Sequence, residues 1–295
     1  MKSEKFKILE KHIDSFPVLP VTVTRLLQVV SNPESSAHEV METILPDQSL
    51  CLTILKFANS VLFGRPQKID SLTQAIAFLG FDEVQNIALS KALINSFGEL
   101  EKRHLSSLDR FWQHSFICAM AARHIAHDLK LRQDVAFTSG LIHDIGKLII
   151  LKSFEDEYSP QKWMTEFSSE EKLHDELKLF SFTHDMVGGQ LLRKWHFPEV
   201  LITAVVYHHR PGNTSRDQIF AYVVQLADIL SFYSCNQDLI GEEKITSCVH
   251  TALPQIKEKW RAAGLNWNDK AIENWYEWLV LNHEDGNNLR EIIVP

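Results

Sequence analysis

Apolar residues recur along this chain mainly three and four positions apart, and the strict alternation that marks half-buried strands is nearly absent. Such spacing places apolar side chains on one face of a helix. The pattern therefore predicts an all-α protein. The first clear apolar face consists of Leu19, Val23, Leu26, Leu27 and Val30.

Capping residues predict where several of the first helices begin and end. Ser36, followed three positions later by Glu39, forms the pattern of a capping box, in which each side chain hydrogen-bonds the other residue's backbone. Asp47 can begin the next helix, and Gly80 stands where a glycine typically ends one. Residues 15–97 are therefore predicted to form short helices joined by tight turns. The helix before Gly80 is predicted to begin at Asp70 or Ser71.

Two changes in composition predict the domain organisation. The polar stretch 98–107 (GELEKRHLSS) separates the short helices from longer ones, and the region after about residue 240 is acidic and rich in tryptophan. We expect an N-terminal helical subdomain (1–100), a helical core (101–240) and a C-terminal helical extension (241–295). A helix packed on the body of the protein is predicted from the spacing of Ile272, Trp275, Tyr276 and Leu279.

The overall composition is typical of a folded soluble protein, with 45% hydrophobic and 23% charged residues. A net charge of −8 argues against bulk binding of nucleic acid or anionic membranes, because both require a surplus of cations. The chain shows neither a signal-peptide pattern nor an apolar run of membrane-spanning length, so we expect a cytoplasmic protein. A zinc ribbon or a disulfide scaffold is not expected from the scattered Cys51, Cys118, Cys235 and Cys248.

One of the four His-Asp doublets in the chain stands out by its context. His143-Asp144 lies inside the apolar run SGLIHDIGKLII, whereas the other three doublets lie in polar or mixed surroundings. Burying unpaired ionisable groups is costly. Metal coordination and hydrogen bonding are two ways to offset that cost, and both remain open for a single doublet.

Other ionisable residues also fall on helix faces that are otherwise apolar. A hydrogen-bonded core residue is the simpler explanation for any one of them, but the whole set favours a common explanation. Imidazole and carboxylate are ligands that divalent Fe, Mn, Ni and Zn accept. A shared carboxylate can bridge two metals about 3.5–4 Å apart, as in phosphoester hydrolysis. The inward residues are His114, His184, His208, His209 and Asp228.

The order of these residues resembles that of the HD superfamily of metal-dependent phosphohydrolases. The N-terminal half narrows the match, because FPVLPVTVTRLL, KFANSVLFG and SLTQAIAFLGFDEVQNIAL are similar to the HD-related output domain, called HDOD. The resemblance covers about residues 15–235. It implies a short helical subdomain before an HD-like helical core.

The resemblance also implies a metal centre that holds one or two divalent transition metals. One site would use His114, His143, Asp144 and Asp228. In the other, Asp144 would act as a bridge. Lys147 falls where the superfamily places a basic residue near the substrate phosphate, so Lys147 and Asp144 are the candidate catalytic residues. The ligands that would share the second site with Asp144 are His184, His208 and His209.

Two functions are compatible with this resemblance. The first is a bacterial signal-transduction output module that acts through contacts with a protein partner, as members of the HDOD family are generally expected to do. The alternative is a metal-dependent phosphohydrolase acting on a nucleotide or cyclic nucleotide. The chain lacks the Gly-Tyr-Pro signature of the relatives that cleave cyclic-di-GMP and has Arg210-Pro211-Gly212-Asn213 after the His-His pair, so that activity is not predicted.

A third possibility, DNA binding, rests on the helix–glycine–helix pattern of residues 71–97. A recognition helix should be basic on its outer face. The second helix offers Lys91 against Asp82 and Glu83, so a packed helical hairpin is favoured. We expect neither nucleic acid nor a membrane among the partners.

Overall fold

The computed structural model describes residues 4–16, 19–30, 32, 34–60, 68–159, 170–241, 243–283 and 292. Within these ranges every regular element is a helix, and none is a strand. The predicted all-α class is therefore confirmed. The chain divides into two compact units, whose described residues lie within 19–99 together with 292, and within 4–16 together with 100–283. The three-part organisation expected from composition remains a prediction.

Five helices lie in the described part of the first unit. The capping box is present, with the backbone N–H of Ser36 donating to the Glu39 carboxylate at 2.8 Å. Asp47 caps the next helix by accepting from the N–H of Leu50. Ser71 rather than Asp70 caps the helix that Gly80 ends, and Gly80 has a φ of 81°, which favours glycine. The helices are α2 (Val21–Val30), α3 (Ala37–Ile44), α4 (Gln48–Ala58), α5 (Leu72–Leu79) and α6 (Phe81–Ser96).

The second unit packs its helices around an apolar core and contains the two longest described helices, α7 and α13. Close approach of α9 and α11 depends on Gly146, because a methyl group there would collide with the carbonyl oxygen of His184. At Gly140 on α8, an added methyl would lie 2.8 Å from the Cα of Ala119 on α7. Small residues therefore set the helix spacing near the His-Asp doublet. These helices are α1 (Glu4–Ser15), α7 (Gly98–Asp128), α8 (Gln133–Ile142), α9 (Ile145–Ser153), α10 (Glu170–Phe180), α11 (His184–Lys194), α12 (Glu199–Tyr207) and α13 (Gln218–Cys235).

The C-terminal helices pack onto this unit. Ile272, Trp275 and Leu279 are buried on the last helix, which contacts α13. The indole N–H of Trp275 donates to the carboxylate of Asp128 at 2.8 Å. The helix predicted from the tryptophan spacing is confirmed. The helices are α14 (Ile245–Ala252), α15 (Ile256–Ala262) and α16 (Asp269–Leu281).

Helix α13 is the one described helix long and apolar enough to cross a membrane by length and composition alone. Its most apolar window is 61% buried inside the protein, and core helices of soluble proteins pass the same test.

Candidate metal centre

The seven residues proposed as metal ligands come together in the second unit as two groups. The fold brings these residues together, and most of them lie at or next to helix ends. His143 and Asp144 join α8 to α9, His184 begins α11, and the His208-His209 pair follows α12. The remaining two residues lie within helices, His114 on α7 and Asp228 on α13.

The first group consists of His114, His143 and Asp228, whose nearest ligand-type atoms all lie within 4.8 Å of one another. The Nε2 atom of His114 lies 3.0 Å from Oδ1 of Asp228. The Nε2 atom of His143 lies 3.6 Å from the same oxygen. One carboxylate oxygen therefore faces two imidazole nitrogens.

The second group consists of Asp144, His184, His208 and His209. Oδ1 of Asp144 lies 3.1 Å from Nε2 of His184 and 3.9 Å from Nε2 of His208. The Nε2 atoms of His184 and His209 are 2.9 Å apart. Three imidazoles and one carboxylate thus converge on a common point.

Asp144 lies between the two groups. While Oδ1 faces the second group, Oδ2 lies 3.3 Å from Nε2 of His143 in the first. Oδ2 also accepts a hydrogen bond from Nζ of Lys147 at 2.6 Å. The Lys147 side chain, which the resemblance assigns to a substrate phosphate, is only 4% exposed and is bound to Asp144.

Backbone carbonyls fix the orientation of two of the imidazoles. Nδ1 of His143 donates to the carbonyl of Gly140 at 2.8 Å, and Nδ1 of His208 donates to the carbonyl of Val205 at 2.6 Å. These contacts leave Nε2 as the atom that points into the cluster. Both Nε2 atoms and Oδ1 of Asp144 are buried without a hydrogen bond of good geometry in the described structure. Buried lone pairs that converge and lack a hydrogen bond are suited to binding a metal ion.

Sequence reasoning missed Glu176 on α10. Its side chain is 2% exposed, and its carboxylate accepts hydrogen bonds from the backbone N–H of His184 at 2.8 Å and from Nδ1 of His184 at 2.9 Å. A carboxylate behind a histidine is the usual partner that orients a metal ligand. The available signal was its place on the apolar face of α10, between Leu173 and Phe180.

The charge states of the site follow from the contacts between its carboxylates and imidazoles. Burial opposes ionisation of Asp144, but His143 and Lys147 hold the pKa of this carboxyl well below its usual range. Burial likewise opposes ionisation of Asp228, yet the nearby imidazoles of His114 and His143 hold its pKa well below the usual range. Both carboxyl groups are therefore anionic at neutral pH, which suits a cation between them.

The pKa values of the histidines differ because their neighbouring groups differ. Burial lowers the pKa of His184, but the Glu176 carboxylate outweighs it and raises that pKa to about 9. His208 lacks such a partner, and burial together with His143 lowers its pKa to about 4. Burial also holds the pKa of His209 well below its usual value. His208 and His209 are therefore neutral at pH 7, which is the form that ligates metal.

Comparison with known families gives one clear match, to the HDOD domain over residues 16–211. A protein of Treponema pallidum is 22% identical over 203 residues, and ribonuclease Y of Lactobacillus acidophilus is 28% identical over 143 residues. These matches cover 67% and 48% of this chain. The chain spans only 38% and 21% of the lengths of these two proteins.

Among solved structures, a candidate phosphohydrolase from Shewanella amazonensis SB2B has the same fold. Its TM-score is 0.73 at 20% identity, and the match covers 97% of this chain and 98% of that one. At this identity the likeness establishes the fold alone.

Proposed function

This chain belongs to the HDOD family, and we propose that it is a signal-transduction output module whose HD-type core binds metal and which acts through contacts with a protein partner. The observation that carries the proposal is the combination of the HDOD match with a full set of metal-ligand residues gathered into two groups. The family match supports the regulatory role, and the two groups of ligand-type residues support metal binding.

The residues present fit one or two divalent transition metals. His114, His143 and Asp228 would hold one ion, and His184, His208 and His209 the other, with Asp144 shared between them. When bound, such ions supply Lewis-acid chemistry that polarises a phosphoryl oxygen. Lys147 would hold Asp144 in the shared position, because its ammonium donates directly to that carboxylate.

A second candidate function is a metal-dependent phosphohydrolase that acts on a nucleotide or cyclic nucleotide. It is favoured by the same complete set of seven residues and by the similarity to ribonuclease Y, although that similarity covers about half of this chain. The burial of Lys147 and its bond to Asp144 weigh against a direct contact between this lysine and substrate phosphate.

The test begins with elemental mass spectrometry of protein purified without chelators or a His-tag. We expect one or two equivalents of Fe, Mn, Ni or Zn, and their absence would contradict the metal-binding core. A broad nucleotide and phosphoester screen of the metal-loaded protein then separates the two functions. We expect weak or no turnover. Robust hydrolysis that collapses in Lys147→Ala, with metal retained, would favour the phosphohydrolase.

A further inference from the structure

A cavity of about 970 Å³ lies beside both candidate metal groups. Its wall includes His209 from one group and Asp228 from the other. The volume is at the upper end of the range for small-molecule sites, roughly 300–1,000 Å³. A molecule in this cavity would therefore reach both groups and would be larger than inorganic phosphate.

Part of the wall comes from the C-terminal region, outside the residues that the HDOD model matches. Residues 251–256, Lys259 and Trp260 line the cavity together with Tyr222 of α13. The ring centroids of Trp260 and Tyr222 are 6.0 Å apart and both residues are buried, so they stiffen the wall beneath its accessible surface. Leu253 and Pro254 are apolar lining residues that remain accessible. The cavity is thus completed by residues outside the range that the HDOD model matches.

The charged residues of the wall favour an anion. Arg210 and Lys259 both line the cavity and both are exposed. Asp228 is the single carboxylate among the described lining residues, and it already belongs to a metal group. This concentration of positive charge contrasts with the net charge of −8 of the whole chain. Arginine and lysine are the side chains that bind phosphate groups most often.

We propose that this cavity binds a small phosphorylated ligand of nucleotide size, that Lys259 contacts its phosphate, and that the C-terminal residues 251–260 select it. The inference deepens the proposed function, because the ligand would lie against the same metal groups. Binding of such a ligand would let a small molecule regulate the output module directly. Leu253 and Pro254 would contact the part of the ligand that carries no charge.

The test is isothermal titration calorimetry of the full chain with adenosine 5′-monophosphate and with adenosine, which lacks the phosphate. The variant is Lys259→Gln, which removes the charge from an exposed side chain. The matched control is Lys257→Gln on the same helix, because Lys257 donates to Asp269 at 2.6 Å and does not line the cavity. Thermal melts of both variants verify that they fold.

We expect the monophosphate to bind more tightly than adenosine, and Lys259→Gln to weaken its binding about three- to tenfold. Lys257→Gln should leave the affinity nearly unchanged. Equal binding of adenosine, equal effects of the two variants, or no binding would overturn the proposal. Tighter binding of a short single-stranded RNA than of the monophosphate would overturn it in favour of a nucleic-acid site.

A repeat with metal-depleted protein separates this inference from the proposed function. If monophosphate binding depends on Lys259 but persists without metal, the ligand proposal is supported even if the metal proposal fails. Binding that depends on both Lys259 and metal supports the two together.

Discussion

The carboxylate of Glu176 holds His184 at two points, the backbone N–H and the ring Nδ1. The first contact fixes the start of α11, and the second directs Nε2 of the ring toward Asp144, 3.1 Å away. A residue outside the predicted ligand set therefore sets the position of one candidate ligand.

Replacing Glu176 by Gln should weaken metal binding. The amide keeps the shape of the side chain but loses the negative charge that orients and polarises the His184 ring. Loss of such a partner typically costs about 10–100-fold in metal affinity. Titration of Zn²⁺ or Mn²⁺ against a competing chelator measures the change. Asp175→Asn, at the neighbouring and more exposed position, is the control, and an equal loss in both variants would contradict the orienting role of Glu176.

Removing Asp144 should empty both metal groups, since its two oxygens face different groups. Asp144→Ala leaves the ammonium of Lys147 buried without this carboxylate, which by itself costs about 3–5 kcal/mol. The double variant Asp144→Asn with Lys147→Met removes that buried charge as well and separates metal loss from unfolding. Elemental mass spectrometry should find little metal in either protein. Full metal content in the folded double variant would rule out the shared-ligand arrangement.

The thermal midpoint of the native protein should fall when a chelator removes the metal. The folded state gathers seven ligand-type residues that the unfolded chain separates, so an ion bound by this cluster stabilises the folded state. At a free metal concentration one hundred times the dissociation constant, the gain is about 2.7 kcal/mol. Differential scanning calorimetry before and after chelation measures it. An unchanged midpoint with metal confirmed lost would show that hydrogen bonds alone satisfy this core.

The sequence predicted the helix ends and the candidate ligands that depend on local pattern. Capping by Ser36 and Asp47, and the last helix with its buried Trp275, follow from short-range spacing and are confirmed. The convergence of His114 with Asp228 depends on how α7 packs against α13, which no local pattern contains. The resemblance to a known family supplied that pairing in advance.

Other features could be identified only from the structure, and most of them depend on contacts between segments far apart in the chain. In the sequence, Glu176 is one of several acidic residues on a helix, and only the structure shows its contact with His184. The cavity wall joins residues that are far apart in the chain, such as Arg210 and Lys259. The bond between Lys147 and Asp144 is local, since the two residues are three positions apart, but the resemblance had assigned this lysine to a substrate phosphate instead.

Gly146→Ala should destabilise the protein and lower its metal content together. The added methyl would collide with the carbonyl oxygen of His184, forcing α9 and α11 apart. Overpacking of this kind typically costs about 1–3 kcal/mol. Gly212→Ala is the matched control, because a methyl there would meet only the hydroxyl of Tyr222 at 3.6 Å. Chemical denaturation and elemental analysis give the two readouts, and a Gly146→Ala protein as stable as the control would show that the helices can move apart at no cost.

His124 should make stability fall at acidic pH through its contact with Trp278. The two rings stack with centroids 4.0 Å apart and an interplanar angle of 12°. Burial lowers the pKa of His124 below its ordinary value, an effect that the nearby Asp128 opposes and His127 reinforces. As the pH falls through about 6.5, the unfolded chain binds this proton before the folded protein does, so the free energy of unfolding decreases.

His124→Phe keeps an aromatic ring against Trp278 but removes the titrating group. Its thermal midpoint should therefore decline less between pH 7 and pH 5 than that of the native protein. His127→Gln keeps the His124 ring and its burial, the main cause of the lowered pKa, so this variant should decline more steeply than His124→Phe. The comparison uses differential scanning fluorimetry across buffers of equal ionic strength. Parallel pH profiles for native protein and His124→Phe would mean that the His124 ring titrates alike in the folded and unfolded chains.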